Sequence, residues 1–324
     1  MNRPKVYIAK KIPSFVEEYI GKHCDYEMYD NEGRISEETL YEKIKDTEGL
    51  LQSGIAIDQK LLDRAPKLKV VSNVSVGYNN FDTDAMKQRN VIGTNTPEVL
   101  NDTVADLIFA LMLSCARKVS YLDRCVKEGR WNMMDDKSFF GKDVHHATLG
   151  IVGMGRIGQD VARRAICGFD MNVLYFNRTR KTEAEEKLGV RYADMETVLS
   201  SSDFVLVMTP LSSDTYHLID EPQFRLMKSD AIFINASRGA TVNEKALIKA
   251  LQEGWILGAG LDVYEQEPVD RENPLLKLDN AVLLPHIGSA TEKTRNDMAM
   301  LAAENMVKAL TGQVPPNIVP ELRK

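Results

Sequence analysis

The first hundred residues alternate short apolar runs with polar stretches whose apolar positions recur at helical spacing. The runs predict strands at residues 6–9, 49–52 and 70–74, and the stretches between them predict helices at 14–20, 36–45 and 59–65. Such alternation implies a parallel sheet covered by helices. A second series of the same kind starts at residue 147, with strands expected at 149–152, 171–176, 204–208, 231–235, 258–262 and 281–284. Between the two series, Val104, Leu107, Ile108, Leu111, Met112 and Cys115 fall on one face of a helix predicted over 101–118. Asn101 or Asp102 can cap it, and core or inter-domain packing is the reading that fits. A last helix, 292–310, stops before Gly312 and Pro315-Pro316. It follows the whole second series, so it is expected to return to the first. The pattern predicts an α/β chain of two doubly wound parallel-sheet domains: a flavodoxin-like substrate domain from residues 1–100 plus 291–324, and a Rossmann dinucleotide-binding domain from 101–290.

The second series opens on a strand that runs into Gly153-x-Gly155-x-x-Gly158. In this arrangement the first glycine makes the tight turn and the second lets backbone N–H groups approach a pyrophosphate. The third lets the next helix, expected over 159–167, pack closely. The helix N-terminus then offers donors and partial positive charge to the phosphates. Reading the ribose of NAD calls for an acid at the tip of the second strand. That place holds Asn177-Arg178-Thr179-Arg180-Lys181, while Asp170 lies at the strand's other end. A carboxylate repels a 2′-phosphate and guanidinium groups bind one. NADPH/NADP is therefore the expected cofactor, with NADH as a weaker alternative, and Arg178 and Arg180 are the expected phosphate ligands. A solvated basic loop is the competing reading of those arginines. The candidate cofactor contacts also include Arg156, Ile157, Thr209, Pro210, Ala236, Ser237, Arg238, His286 and Gly288.

Charge and composition narrow the class. The net charge of −6 argues against a nucleic-acid partner, and no apolar run is long enough to span a membrane. The N-terminus lacks a signal-peptide core and enters a strand almost at once, and the four cysteines show no C-x-x-C pair or metal spacing. A reduced, cytoplasmic setting without a metal is the expectation.

Ligands of open α/β sheets bind beyond the carboxyl ends of the strands. Arg238, Glu267 and His286 each fall just past such an end in the second series. Of the five histidines, His23 and His217 flank helices, and His145-His146 precede the glycine-rich strand from its amino end. Reducing a 2-keto acid puts negative charge on the carbonyl oxygen, so a proton donor must stand within hydrogen-bond reach, and histidine suits that role near neutral pH. A glutamate favours the imidazolium and fixes the ring. An arginine can hold the substrate carboxylate or carbonyl oxygen. Taken singly, each has an ordinary explanation: a surface ion pair, a solvated loop acid, a capped turn. Their shared placement favours the catalytic one.

Gly-Met-Gly-Arg-Ile-Gly, Ile-Asn-Ala-Ser-Arg-Gly, Gly-Leu-Asp-Val-Tyr-Glu-Gln-Glu-Pro and Leu-Pro-His-Ile-Gly-Ser-Ala-Thr occur in this order. Together they resemble the D-isomer-specific 2-hydroxyacid dehydrogenases, most closely the group of glyoxylate/hydroxypyruvate and 2-ketogluconate reductases. The resemblance implies Arg238 as substrate clamp, His286 as general acid in reduction and Glu267 as its partner. It places Asp262 on the nicotinamide carboxamide, and the substrate carboxylate on the N–H groups of Val76 and Gly77. It also implies a homodimer. Trp131 and Phe139-Phe140 lie where some members reach into the partner's site, with ordinary packing the other explanation. The expected reaction is NADPH-dependent reduction of 2-ketogluconate, hydroxypyruvate or glyoxylate to a D-2-hydroxy acid. A regulatory, dinucleotide-sensing binding protein on the same fold is the alternative.

Overall fold

The computed structural model describes residues 3–31, 33–132 and 137–323, and the chain forms two compact units, Met1–Leu100 with Ala290–Lys324 and Asn101–Ser289. In the first unit, strands β1 (Lys5–Ile8), β2 (Asp25–Met28), β3 (Gly49–Gln52), β4 (Val70–Asn73) and β5 (Ile92–Thr94) alternate with helices α1 (Ser14–His23), α2 (Glu37–Ile44), α3 (Gln59–Arg64) and α4 (Thr83–Gln88). The sheet is parallel in the order β2-β1-β3-β4-β5, the flavodoxin-like arrangement. β3 and β4 are buried along their whole length, as strands covered on both faces must be. The edge strand β2 reads Asp-Tyr-Glu-Met and is mostly exposed, so no apolar run announces it. β5, on the other edge, is three residues long and was equally silent.

The second unit begins with α5 (Asn101–Ala116) and α6 (Val119–Lys127). There follow β6 (Thr148–Val152), α7 (Arg156–Phe169), β7 (Asn172–Phe176), α8 (Thr182–Leu188), β8 (Arg191–Tyr192), α9 (Met195–Ser201) and β9 (Phe204–Val207). α10 (Glu221–Leu226), β10 (Ile232–Asn235), α11 (Glu244–Gln252), β11 (Gly258–Leu261) and β12 (Ala281–Leu283) complete it. Its seven parallel strands run β12-β11-β10-β9-β6-β7-β8, the Rossmann order extended by one strand at one edge. β9, β10 and β11 are buried throughout. α5 lies against this sheet: a Cβ on Gly260 of β11 would stand 3.0 Å from Leu111 Cβ and 3.1 Å from Cys115 Sγ. Burial pushes the Cys115 thiol up to about 12, which leaves it a core side chain rather than a nucleophile. The buried face of α5 is wider than its sequence suggests, because it takes in Ala105 and Phe109. Phe109 stacks on Phe169 of α7 at 5.2 Å.

α12 (Glu292–Leu310) returns to the first unit. Ala299, Ala302 and Ala303 are small enough to bring its backbone onto β4, where Ser72 Oγ donates to Ala302 O at 2.6 Å. Asn305 donates to Asn95 O and Asn317 Oδ1, tying the helix to the segment after β5. Among the described residues no helix is long and apolar enough to cross a membrane, and no cluster of three or more His, Cys, Asp or Glu side chains could hold a metal ion.

Candidate active site

The glycine loop joins β6 to α7 in the middle of the second sheet. Gly153 has φ +108°, and a Cβ there would lie 2.7 Å from the Met208 carbonyl group and 2.9 Å from Thr209 N. Only glycine meets both the conformation and the approach. Gly158 closes the loop: its Cβ would sit 2.7 Å from Gly153 O. Gly155 faces open space, with nothing within 4 Å of a Cβ. It is also the N-cap of α7 and carries no capping side chain, whereas α2, α3, α9, α11 and α12 each receive one. Arg156, Ile157 and Gly158, the first turn of α7, therefore direct backbone N–H groups outward without a side-chain acceptor from the cap. The Thr209 hydroxyl, next to the same turn, is buried and has no hydrogen-bond partner among the described residues. A pyrophosphate is an acceptor for the Ile157 and Gly158 N–H groups and for the Thr209 hydroxyl, so the residues present fit a dinucleotide.

Asn177 links this loop to the arginines beyond β7. Its Oδ1 accepts from Met154 N at 3.1 Å and its Nδ2 donates to Thr179 O at 2.9 Å. The two arginines differ sharply. Arg178 is 89% exposed and touches Asp214 at 3.3 Å. Arg180 holds both carboxylate oxygens of Glu185, at 2.6–3.2 Å. Hydrogen bonds from Arg180 and from the Tyr175 hydroxyl bring Glu185 down to about 2. Arg180 must leave an ionised partner before it can bind a phosphate; Arg178 gives up only an exposed pair.

Arg238, Glu267 and His286 come together in this unit. The turn after β10 is tied by Asn235, whose Oδ1 accepts from Ser237 N at 3.0 Å and whose Nδ2 donates to Arg238 O at 3.1 Å. Ala236 and Ser237 lie within that turn. Gly239 packs directly on the strand β11 exit: a Cβ would fall 1.8 Å from the Tyr264 carbonyl carbon. Gly239→Ala is therefore expected to destabilise the unit by about 1–3 kcal/mol, the usual cost of overpacking. Thermal unfolding checks it, and an unchanged Tm refutes it.

Glu267 bridges the site. Its Oε2 lies 2.6 Å from His286 Nδ1, and its Oε1 accepts from Tyr264 N at 3.1 Å. Burial opposes its ionisation, but the bond and charge of His286, the Tyr264 N–H and the charge of Arg238 outweigh that, so its carboxyl is held below the ordinary value. Arg238 is partly buried, and burial draws its pKa down against the upward pull of Glu267. His286 adopts φ +53°, its side chain is 46% exposed, and its Nε2 makes no hydrogen bond among the described residues. Asp262, 1% exposed, accepts from Ile287 N at 2.7 Å and from Gly288 N at 2.8 Å. Burial raises its pKa against the lowering effect of those two bonds.

A second histidine–carboxylate pair escaped the sequence reading. His217 Nε2 lies 2.7 Å from Glu265 Oε1, with Tyr216 stacked on the ring at 4.0 Å. Nothing in its flanking residues signals that contact, because Glu265 comes from a loop 48 positions away.

In the first unit the loop after β4 turns its carbonyls inward. Thr96 N donates to Ser75 O, Asn95 Nδ2 to Val76 O, Asn73 Nδ2 to Gly77 O and Phe81 N to Tyr78 O, all at 2.7–2.9 Å. The N–H groups of Val76 and Gly77 are left without a partner among the described residues. The buried Thr96 hydroxyl also has none.

Residues 109–288 match the NAD-binding domain of the D-isomer specific 2-hydroxyacid dehydrogenases. The chain is 45% identical to a glyoxylate reductase of Korarchaeum cryptofilum over 98% of its own length and 96% of that protein's. It is 46% identical to glyoxylate/hydroxypyruvate reductase B of Escherichia fergusonii, over 99% and 100% of the two chains. A crystal structure of the NADPH-dependent glyoxylate/hydroxypyruvate reductase of Sinorhizobium meliloti, in complex with NADP and malonate, superposes with a TM-score of 0.87 at 30% identity, covering 100% and 99%. With the glycine cradle, the Arg238–Glu267–His286 cluster and this full-length similarity, the chain belongs to the D-isomer specific 2-hydroxyacid dehydrogenase family.

Proposed function

We propose that this protein is an NADPH-dependent reductase of glyoxylate and hydroxypyruvate, with 2-ketogluconate as a further substrate, yielding D-2-hydroxy acids. The observation that carries the proposal is the 2.6 Å His286–Glu267 pair beside Arg238, in the same unit as the glycine cradle. The relatives named above are reductases over their full length, which favours turnover over a dinucleotide-sensing role.

Gly153, Gly155 and Gly158, with the first turn of α7 and Thr209-Pro210, hold the pyrophosphate, and Ala236, Ser237 and Gly288 line the cofactor's path. When bound, the reduced nicotinamide supplies the hydride. Arg238 orients the keto acid through its carboxylate and carbonyl oxygens. His286 Nε2 gives the proton to the carbonyl oxygen as negative charge gathers there. Glu267 keeps the ring in place and offsets the charge of the imidazolium. The N–H groups of Val76 and Gly77, without a partner among the described residues, are assigned to the substrate carboxylate, and the first unit to the substrate domain. Val119, Val126, Trp131 and Phe140 stand exposed in and after α6, and we assign that surface to a homodimer contact.

Asn177 and Arg178 support NADPH over NADH. Arg178→Ala is expected to raise KM for NADPH by about 10–100-fold, the worth of one charge-assisted phosphate contact, and to leave KM for NADH unchanged. Steady-state reduction of glyoxylate, hydroxypyruvate and 2-ketogluconate with each cofactor tests both parts. A parallel rise for NADPH and NADH removes Arg178 as a phosphate ligand. Equal or better efficiency of the wild type with NADH sinks the cofactor preference, and failure to turn over any of the three acids sinks the reductase reading.

A further inference from the structure

We infer that Asp262 is a positioning residue whose carboxylate holds the Pro285–Gly288 turn so that the His286 ring stays on Glu267 with Nε2 free for the substrate. The turn needs such a hold. His286 is a non-glycine residue at φ +53°, a conformation that persists only where its surroundings impose it. Histidine is among the residues that tolerate this region, yet tolerance does not select it. The two N–H groups that follow His286 point to one side, as in the backbone concavities that bind anions. Here the anion is built in: Asp262 takes Ile287 N on one oxygen at 2.7 Å and Gly288 N on the other at 2.8 Å.

The hold is rigid on both sides. Asp262 directly follows β11, and its own N–H donates to Asn235 O of β10 at 3.0 Å. Two residues further on, the Tyr264 hydroxyl donates to Leu284 O at 3.0 Å, and Tyr264 N donates to Glu267. Asp262 and Glu267 thus fix the histidine's backbone and its ring from one loop. Gly288 is part of the fit, because a Cβ there would lie 3.2 Å from Asp262 Oδ2 and 3.4 Å from Val104 Cγ2. Each oxygen of Asp262 already takes one backbone N–H, so contact with a nicotinamide carboxamide is not needed to explain a carboxylate here.

The inference rests on His286 as the proton donor, and the two can fail separately. In Asp262→Asn the amide nitrogen must face one of the two N–H groups, so the turn loosens. We expect kcat to fall by about 10²-fold, the usual consequence of displacing a catalytic group by an ångström, with the NADPH dissociation constant from fluorescence titration unchanged. The deficit is expected to be the same with the 3-acetylpyridine analogue of the cofactor, which lacks the carboxamide N–H donors. Proton NMR of the cofactor-free protein is expected to show the downfield resonance of the His286–Glu267 hydrogen bond in the wild type and its loss or shift in the variant. An unchanged resonance, or a deficit that disappears with the analogue, overturns the assignment. Gly288→Ala keeps the carboxylate and presses on it; it covers the case in which Asp262→Asn does not fold. About a 10-fold loss of kcat, measured with NADPH saturating, is expected there, and full kcat with an unshifted resonance counts against the hold. If His286→Ala is itself fully active, the proton-donor reading falls. If His286→Ala is inactive and both other variants are normal, only the role of Asp262 falls.

Discussion

His286→Ala is expected to lower kcat by about 10²–10⁴-fold, the range for loss of a positioned general acid, which corresponds to about 3–5 kcal/mol of transition-state stabilisation. The geometry argues for the upper part of that range. Glu267 occupies one ring nitrogen at 2.6 Å and leaves the other without a partner among the described residues, so the ring is oriented toward a single task. Because position 286 has φ +53°, alanine there also carries a backbone cost of about 1–2 kcal/mol. His286→Asn separates the two effects, since asparagine tolerates the left-handed region. Both variants should bind NADPH as the wild type does and fail in the chemical step. Single-turnover reduction of glyoxylate monitored by cofactor absorbance measures this directly. A His286→Asn enzyme with wild-type kcat would mean that the proton comes from elsewhere.

Arg238→Ala is the second large effect. Two charge-assisted hydrogen bonds to a keto acid, at about 1.5–3 kcal/mol each, put the loss in kcat/KM at about 10²–10⁴-fold. Arg238 also contributes to keeping the Glu267 carboxyl below its ordinary value, so its removal weakens the partner of His286 as well. Lysine restores the charge without the planar fork, and Arg238→Lys is expected to recover only a small part of the activity. Cofactor affinity should be retained in both variants. The measurement is steady-state kinetics over a range of keto acid with NADPH saturating. Unchanged kcat/KM in Arg238→Ala would assign the arginine to structure alone.

How much of this was legible in the sequence depended on burial. The interior strands β1, β3 and β4, and β6, β7, β9, β10 and β11, appear in the sequence as short continuous apolar runs because helices cover both faces of their sheets. Of the four edge strands, β12 still shows a short apolar run, whereas β2, β5 and β8 do not, and Arg191–Tyr192 or Asp-Tyr-Glu-Met carries none. The site followed the same logic. Arg238, Glu267 and His286 could be picked out because each follows a short apolar run. His217–Glu265, Arg180–Glu185 and the hold of Asp262 on Ile287 and Gly288 could not. Arg180–Glu185 is a contact across five positions between the β7 exit and α8; the other two depend on which loops meet beyond the strands, and loop meetings leave no periodic trace.

The sequence by itself determined the parallel α/β class, the glycine loop and the residue types that stand at the strand ends. Local steric demands and the need to bury apolar runs are written into consecutive residues. It also determined that no acid stands at the tip of β7. Only the tertiary structure decided which of two arginines is gripped by both oxygens of a carboxylate, which of two histidines hydrogen-bonded to glutamates lies beside Arg238, and what holds His286 in a left-handed turn. Those outcomes are set by distances of 2.6–2.8 Å, and for His286 and Asp262 the groups lie 19–26 positions apart in the chain. No property of the neighbouring residues fixes such distances until the sheet brings the loops together.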